Sequence, residues 1–233
     1  MLRWTSLANQ WFRRGLPGYC AFCFYSQAGE EGWCSECYSM LPWNRMSCKR
    51  CAEPLTAAHQ TYCGHCLAEP PNFTATTAPL CYQEAITQLV HDFKFHASPR
   101  AGRLLVNLML SRRPHALGCA LLPVPMYPGR ARERGFNQAQ WLAERLGEGV
   151  GMPLIHARCI KHLPSQRSLN RKERRQNLNG AFVVAGDMPE HVTIIDDVVT
   201  TGATGHALAA EVLAQGAKRV DVWAAARTPL QKS

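Results

Sequence analysis

From residue 84 to residue 95 the apolar side chains Ile86, Leu89, Val90 and Phe93 return at steps of three and four, the spacing of one helix face. Residues 103–111 predict a second helix, and residues 137–146 a third with Trp141, Leu142 and Leu146 as its stripe. Between these helices the pattern changes to short apolar runs, at residues 79–82, 119–124, 181–184, 192–195 and 220–226, which predict strands. An Ala- and Leu-rich stretch, 203–215, predicts one more helix, with Gly216 placed to end it. Strands alternating with helices imply a largely parallel sheet covered on both faces, with ligands at the carboxyl ends of its strands. Earlier in the chain, Leu2, Trp4, Leu7, Trp11 and Phe12 predict a short amphipathic helix packed on its own protein. Residues 68–78, rich in Pro and Thr and free of Cys, predict a linker. The expected organisation is a module over 1–67, the linker 68–78, and an α/β domain over 79–233.

Composition sharpens this. A hydrophobic fraction of 46% is that of a globular protein. No apolar stretch approaches the roughly 18 residues of a membrane span, and the first ten residues lack the apolar core of a secretion signal. A cytoplasmic protein without membrane insertion is expected. The net charge of +9 is uneven: residues 1–80 carry six basic and five acidic side chains, residues 81–233 twenty and twelve. The positive field therefore belongs to the α/β domain, where it suits pyrophosphate compounds or nucleic acid without choosing between them.

Eleven cysteines in a cytoplasmic chain point to metal rather than disulfides. Eight form four Cys-x-x-Cys knuckles, Cys20/Cys23, Cys34/Cys37, Cys48/Cys51 and Cys63/Cys66, separated by ten, ten and eleven residues. A two-residue spacer turns both thiolates toward one ion, and two knuckles complete a tetrahedral site, so two structural zinc ions are expected. Sequential pairing closes the shorter loops and gives a double zinc ribbon; a cross-braced pairing is the alternative. Cys81, Cys119 and Cys159 lie singly among apolar neighbours and read as core. His65 reads as a bystander, and His59, His91, His96, His162 and His206 have no metal spacing with one another.

The chemistry concentrates at the strand that begins at Val192. Its apolar run stops at two carboxylates, Asp196 and Asp197, and after Val198 and Val199 the chain turns through Thr200, Thr201, Gly202, Ala203 and Thr204 into the Ala-rich helix. The turn and helix start present unpaired N–H groups and a positive dipole end to an anion. Gly202 and Gly205 let that backbone approach closely. Two carboxylates do not suit phosphate alone. A ligand bearing phosphate and vicinal hydroxyls accounts for them, because carboxylates accept hydrogen bonds from ribose hydroxyls and hold Mg2+ directly or through water. The bland alternative is a surface turn with Asp197 as a helix cap.

This segment resembles the phosphoribosyl-pyrophosphate (PRPP) signature of type I phosphoribosyltransferases. Pro-Val-Pro at 123–125 followed by Arg-Gly-Phe-Asn-Gln at 134–138 is similar to the hallmark of the ComF/GntX family of competence and DNA-utilisation proteins. A Leu-Pro-x-x-Cys-x-x-Cys opening at 16–23, the pair Lys94-Phe95, and Gln166, Leu169, Arg174, Asn177 and Phe182 agree with it. The resemblance spans nearly the whole chain. It implies a type I phosphoribosyltransferase-like parallel-sheet domain preceded by a double zinc-ribbon module.

It also implies roles. Asp196 and Asp197 would be catalytic, residues 200–204 would hold the 5′-phosphate of PRPP, and Pro125, Met126, Arg130, Arg134, Gly135 and Asn137 would bind pyrophosphate with Mg2+. Arg132 is a further cation of that loop. Gln166, Arg171, Lys172, Arg174 and Asn177 would belong to a mobile loop, within a stretch, 158–175, that has seven basic residues against one acid. The alternative for that stretch is a solvated charge run. Relatives acting on 6-oxopurines carry an acid at the position of Thr200, so threonine there tells against purine salvage. Tyr82, Phe93, Phe95 and Phe136 are candidates to face a base, and each also suits the core. Three functions stay open: a PRPP-dependent transferase whose acceptor is a nucleobase from imported DNA; a single-stranded-DNA-binding protein in which PRPP is regulator or relic; and an adaptor whose zinc ribbons dock a protein of the uptake machinery.

Overall fold

The computed structural model describes residues 18–161 and 177–230. The amphipathic helix expected at the start, and Gln166, Arg171, Lys172 and Arg174, lie outside the described residues. The chain divides into two compact units, Met1–Pro42 and Trp43–Ser233.

The cysteines settle into two clusters, Cys20, Cys23, Cys34 and Cys37 in the smaller unit and Cys48, Cys51, Cys63 and Cys66 in the larger. The pairing is therefore sequential. Both ribbons are built by the same local device. Phe24 and Ala52, each directly after a knuckle, adopt positive φ (56° and 55°). Their N–H groups donate back to the carbonyls of Cys20 (3.0 Å) and Cys48 (2.8 Å). The next knuckle in each ribbon opens a short helix: Cys34 caps α1 (Ser35–Met40), and Cys63 caps α2 (Gly64–Ala68).

The larger unit continues through β1 (Ala75–Thr77), β2 (Leu80–Cys81), α3 (Glu84–Phe95), α4 (Pro99–Ser111), β3 (Ala120–Pro123), α5 (Pro128–Arg134) and α6 (Gln138–Val150). It closes with β4 (Ala157–Cys159), β5 (Phe182–Val184), β6 (His191–Val199), α7 (Ala203–Ala214) and β7 (Arg219–Arg227). The main sheet is parallel, in the order β1-β7-β6-β3, with β2 also pairing β7. The expected parallel-sheet α/β architecture is present. On one face Ile194, Val222 and Ala224 share a buried cluster with Leu208 and Val212 of α7. On the other, Leu121 reaches toward Gly147 of α6, and Phe93 of α3 meets Trp141 of α6 with ring centroids 5.2 Å apart.

Several elements depart from the pattern. Strand β6 runs on past Ile195 through the acidic pair to Val199. Strand β5 leaves the main sheet and pairs antiparallel with β4, which the pattern missed. Helix α4 starts at Pro99, four residues early, because Ser98 accepts a hydrogen bond from the Ala101 N–H (3.3 Å) and proline suits the first helical position. Cys119 is exposed, against the expectation of core, whereas Cys159 is buried.

The compact units divide after Pro42, not at the expected 67/68 boundary. Residues 43–67 belong with the sheet for identifiable reasons. Asn44 donates to the carbonyls of Ala52 (2.8 Å) and Ala78 (3.2 Å). The Thr76 N–H donates to the Lys49 carbonyl (3.2 Å) and its hydroxyl to the Arg50 carbonyl (2.7 Å). Residues 68–78, expected as linker, carry strand β1 and the buried Phe73.

Metal analysis of the purified chain should give two zinc ions. A Cys63→Ser chain should hold one, and the larger unit should melt roughly 6–12 °C lower, the shift expected for a loss of ~3 kcal/mol in a unit of this size. An unchanged melting temperature would mean that the second ribbon does not support the sheet.

Candidate functional site

Strand β6 delivers Asp196 and Asp197 to the carboxyl end of the sheet, where a cavity of about 450 Å³ opens. Of the residues singled out from the sequence, Asp196, Asp197, Thr204, Pro125, Met126, Arg130, Arg134 and Asn137 line it. Gly135 does not line it. A narrower cleft of about 30 Å³ is lined by residues 198–205 together with Phe73, Ile194, Asp196 and Val222. Asp196 and Thr204 line both spaces, which makes them neighbouring parts of one site.

The acidic pair has a counter-ion that the motif reading had not assigned. Lys94 Nζ lies 2.8 Å from Asp197 Oδ2, and both side chains are largely buried. Burial works against the Lys94 charge, but the Asp197 carboxylate outweighs it and the ammonium titrates above its ordinary value. Asp196 is pushed up to about 7 by burial and by the Asp197 charge, with Lys94 pulling the other way. Its Oδ1 accepts the Asp197 N–H (2.9 Å), and Asp197 Oδ1 accepts the Val198 N–H (2.6 Å). A signal for Lys94 did exist: position 94 continues the 86–90 stripe by one helical turn, where another apolar residue would be expected.

The turn after β6 is held without a capping side chain. Gly202 is the N-cap of α7 with φ 75°, a left-handed conformation that favours glycine. The N–H groups of Ala203, Thr204 and Gly205 fall in the first helical turn, which has no intrahelical acceptors. Thr201 Oγ1 accepts the Ala203 N–H in a long contact of 3.4 Å. Gly205, which lines the narrow cleft, is also closely packed: a Cβ there would lie 3.3 Å from Phe73 and from Val222.

The segment expected as an open pyrophosphate loop contains α5. Pro128 starts it, and Gly135 ends it at φ 83°. Arg134 donates to Gln138 Oε1 (3.2 Å) and stacks over the Phe95 ring (5.2 Å). Arg130 also lines the cavity, whereas Arg132 does not. Asn137 holds the segment down: its Oδ1 accepts the N–H groups of Ala139 (3.0 Å) and Gln140 (3.4 Å), and its Nδ2 donates to the Val124 carbonyl (3.0 Å). Of the aromatic candidates, Phe93 is core against Phe136 and Trp141, while Phe95 is half exposed beneath Arg134. Asn177 is exposed.

The two cysteine clusters fit zinc. In each, the four sulfurs lie within 4.8 Å of one another. Without a cation the thiols of each cluster titrate unevenly: Cys51 is pushed up to about 12, first by its hydrogen bond with Cys48, and Cys37 to about 12, first by burial, whereas Cys48 is drawn down, first by its hydrogen bond with Cys51, and Cys23 is drawn down to about 6, first by the Ser26 N–H. Four thiolates leave no open position, so the sites are structural. The structure also brings His91, Asp92 and His96 within 4.8 Å, contrary to the spacing argument, because one helical turn and the helix end place them together. Asp92 Oδ1 already accepts from Gln88 (2.8 Å) and lies 3.2 Å from His96, and both imidazoles are exposed.

Residues 13–67 match the family model described as a double zinc ribbon domain. Competence protein F of Haemophilus influenzae is 32% identical over 211 residues, covering 85% of this chain and 91% of that protein. DNA utilization protein YhgH of Escherichia coli O157:H7 is 32% identical over 231 residues, covering 91% and 98%. Among solved structures, adenine phosphoribosyltransferase from Thermoanaerobacter pseudethanolicus aligns with a TM-score of 0.36 at 16% identity, over 62% of this chain and 87% of that one.

The raised Asp196 carboxyl has a measurable consequence. Its folded value of about 7 lies above its ordinary value near 3.8. Between these values the unfolded chain has released a proton that the folded chain keeps, so stability falls as pH rises and levels off above about 7. Asp196→Asn removes this slope. The variant should match the parent near pH 4 and exceed it at pH 8 by on the order of 1–3 kcal/mol. Urea unfolding at both pH values checks this, and a constant difference would refute it.

Proposed function

We propose that this chain, which belongs to the ComF/GntX family of competence and DNA-utilisation proteins, binds PRPP at the carboxyl end of β6 and uses it as a phosphoribosyl donor. The observation that carries this reading is the sharing of Asp196 and Thr204 between the wide cavity and the narrow cleft. One ligand can therefore place a phosphate on the turn and a ribose over the carboxylates. The first-turn amides of α7, with the hydroxyls of Thr200, Thr201 and Thr204, would take the 5′-phosphate. Asp196 and Asp197 would accept hydrogen bonds from the ribose hydroxyls. Arg130 and Arg134 on the cavity wall would meet the pyrophosphate.

When the bond from ribose C1 to the pyrophosphate oxygen breaks, pyrophosphate leaves with the electron pair and positive charge develops on the sugar. The carboxylates then face that charge. Mg2+ held by the acidic pair, directly or through water, would supply charge neutralisation for the phosphates. The remaining work is positioning, which a rigid sheet end supplies. The acceptor, in this reading, is a nucleobase derived from the DNA that the family's relatives are named for using.

A second reading is favoured by the excess of twenty basic over twelve acidic residues in 81–233. There the domain grips single-stranded DNA, and PRPP is a regulator or relic. Ribbons that dock an uptake protein are compatible with either.

Calorimetric titration with PRPP and MgCl2 should show one site, weakened at least tenfold (roughly 1.4 kcal/mol) by replacing Asp196 and Asp197 with Ala. No heat with the parent chain, or equal binding by the variant, would sink the donor reading. For the second reading, replacing Arg171, Lys172, Arg174 and Arg175 should flatten the dependence of DNA affinity on salt; an unchanged slope would count against it.

A further inference from the structure

We infer that Arg227 is a positioning residue: it holds the start of the 200–204 turn to the second four-cysteine ribbon. Its consequence for ligand binding rests on the reading of that turn as a phosphate site.

Arg227 is the last residue of β7 and is 1% exposed, although it carries a charge. It pairs in register with Val199, the last residue of β6. Its guanidinium spreads over three acceptors. Nη1 donates to the carbonyls of Val199 (3.0 Å) and Thr228 (2.9 Å), and Nη2 donates to Glu53 Oε2 (2.7 Å). Glu53 is held in turn: Oε1 accepts the Leu230 N–H (2.9 Å), and its carbonyl accepts the Cys48 N–H (2.8 Å). A continuous path therefore runs from the cysteine cluster through Glu53 and Arg227 to Val199, the residue directly before Thr200.

Two physical points make this path consequential. A buried guanidinium persists only while its charge is paired, so Glu53 cannot be neutralised without disturbing Arg227. The fork geometry matters as well, because an ammonium cannot present the same fixed set of donors to Glu53, Val199 and Thr228 together. The turn also has few local restraints, since its glycine N-cap supplies no side-chain bond. Fixing the Val199 carbonyl from behind sets where the turn begins. Ordering the ribbon around its ion thus orders the turn. By linkage, a ligand on the turn should tighten the binding of the ion in the second ribbon.

Hydrogen exchange followed by mass spectrometry on the full zinc-loaded chain tests this. Glu53→Gln keeps an acceptor for Leu230 and removes the charge, whereas Arg227→Lys keeps the charge and removes the fork. Either should raise exchange of the 199–206 peptide about tenfold while peptides of α4 stay as in the parent. Glu53→Asp, which restores the charge, should bring exchange back toward the parent. Unchanged exchange at the turn, or an equal rise in α4, would overturn the inference. Should Arg227→Lys fail to fold, Glu53→Gln decides alone. In a separate arm, PRPP should bind Glu53→Gln about tenfold more weakly with two zinc ions still present, an affinity loss of roughly 1.4 kcal/mol; equal affinity would overturn the inference. A parent chain that does not bind PRPP refutes the donor reading, and the exchange result still decides the role of Arg227.

Discussion

Asp196 and Asp197 stand next to each other on a central strand, and the repulsion between two carboxylates in that position dictates what the neighbouring elements must provide. Lys94 answers it from α3 with a 2.8 Å contact to Asp197. Removing one partner of a buried pair typically costs ~3–5 kcal/mol, so the lysine is part of what lets the pair exist. The helix that carries it is fixed by the adjacent Phe93, whose ring meets Phe136 at 5.3 Å and Trp141 at 5.2 Å. Those rings belong to the segment joining α5 to α6 and to α6 itself. The counter-ion and the arginine-bearing wall of the cavity are thus placed by one aromatic cluster.

What the sequence revealed, and what it hid, follows from how far apart the interacting residues lie. The cysteine knuckles, the stripe of α3 and the acidic strand end are all written within a few consecutive residues. They were legible, as was the turn entering α7. Helix α5 was hidden because Pro128 and Gly135 read as loop residues; they are in fact its first residue and its C-cap, two positions where proline and glycine are well tolerated. Strand β1 was hidden because residues 68–78 are Pro- and Thr-rich, although the structure buries Phe73 among them. Glu53 and Arg227 are 174 residues apart, and no periodicity connects them. Lys94 shows an intermediate case: its position was informative, its partner was not.

The place where the chain divides has the same origin. A module as small as one ribbon has little apolar surface to bury and depends on its metal. The second ribbon gains further support, since Cys48, Cys51, Cys63 and Cys66 fall in the same buried cluster as Phe73, Ile194 and Val222. Its Lys49 and Arg50 carbonyls take hydrogen bonds from Thr76 of the edge strand β1. An edge strand of three residues has few ladder bonds of its own, and contacts of this kind help hold it. The second ribbon and the sheet therefore share one compact unit, while the first ribbon lies in the other.

The proposed donor also makes opposite demands on one residue, and the titration of Asp196 reconciles them. An incoming PRPP is a polyanion, and a fully ionised acidic pair would repel it. With its carboxyl pushed up to about 7, Asp196 holds a proton for much of the time near neutral pH. Lys94, Arg130 and Arg134 then outnumber Asp197 and Glu133 by one charge along the cavity lining, a balance that favours entry. Once a cation or a developing positive charge on the sugar lies against Asp196, the balance reverses, because an opposite charge nearby favours the ionised carboxylate. Proton release would then accompany the step that needs negative charge. A carboxylate held permanently ionised could serve that step but would oppose the binding that precedes it.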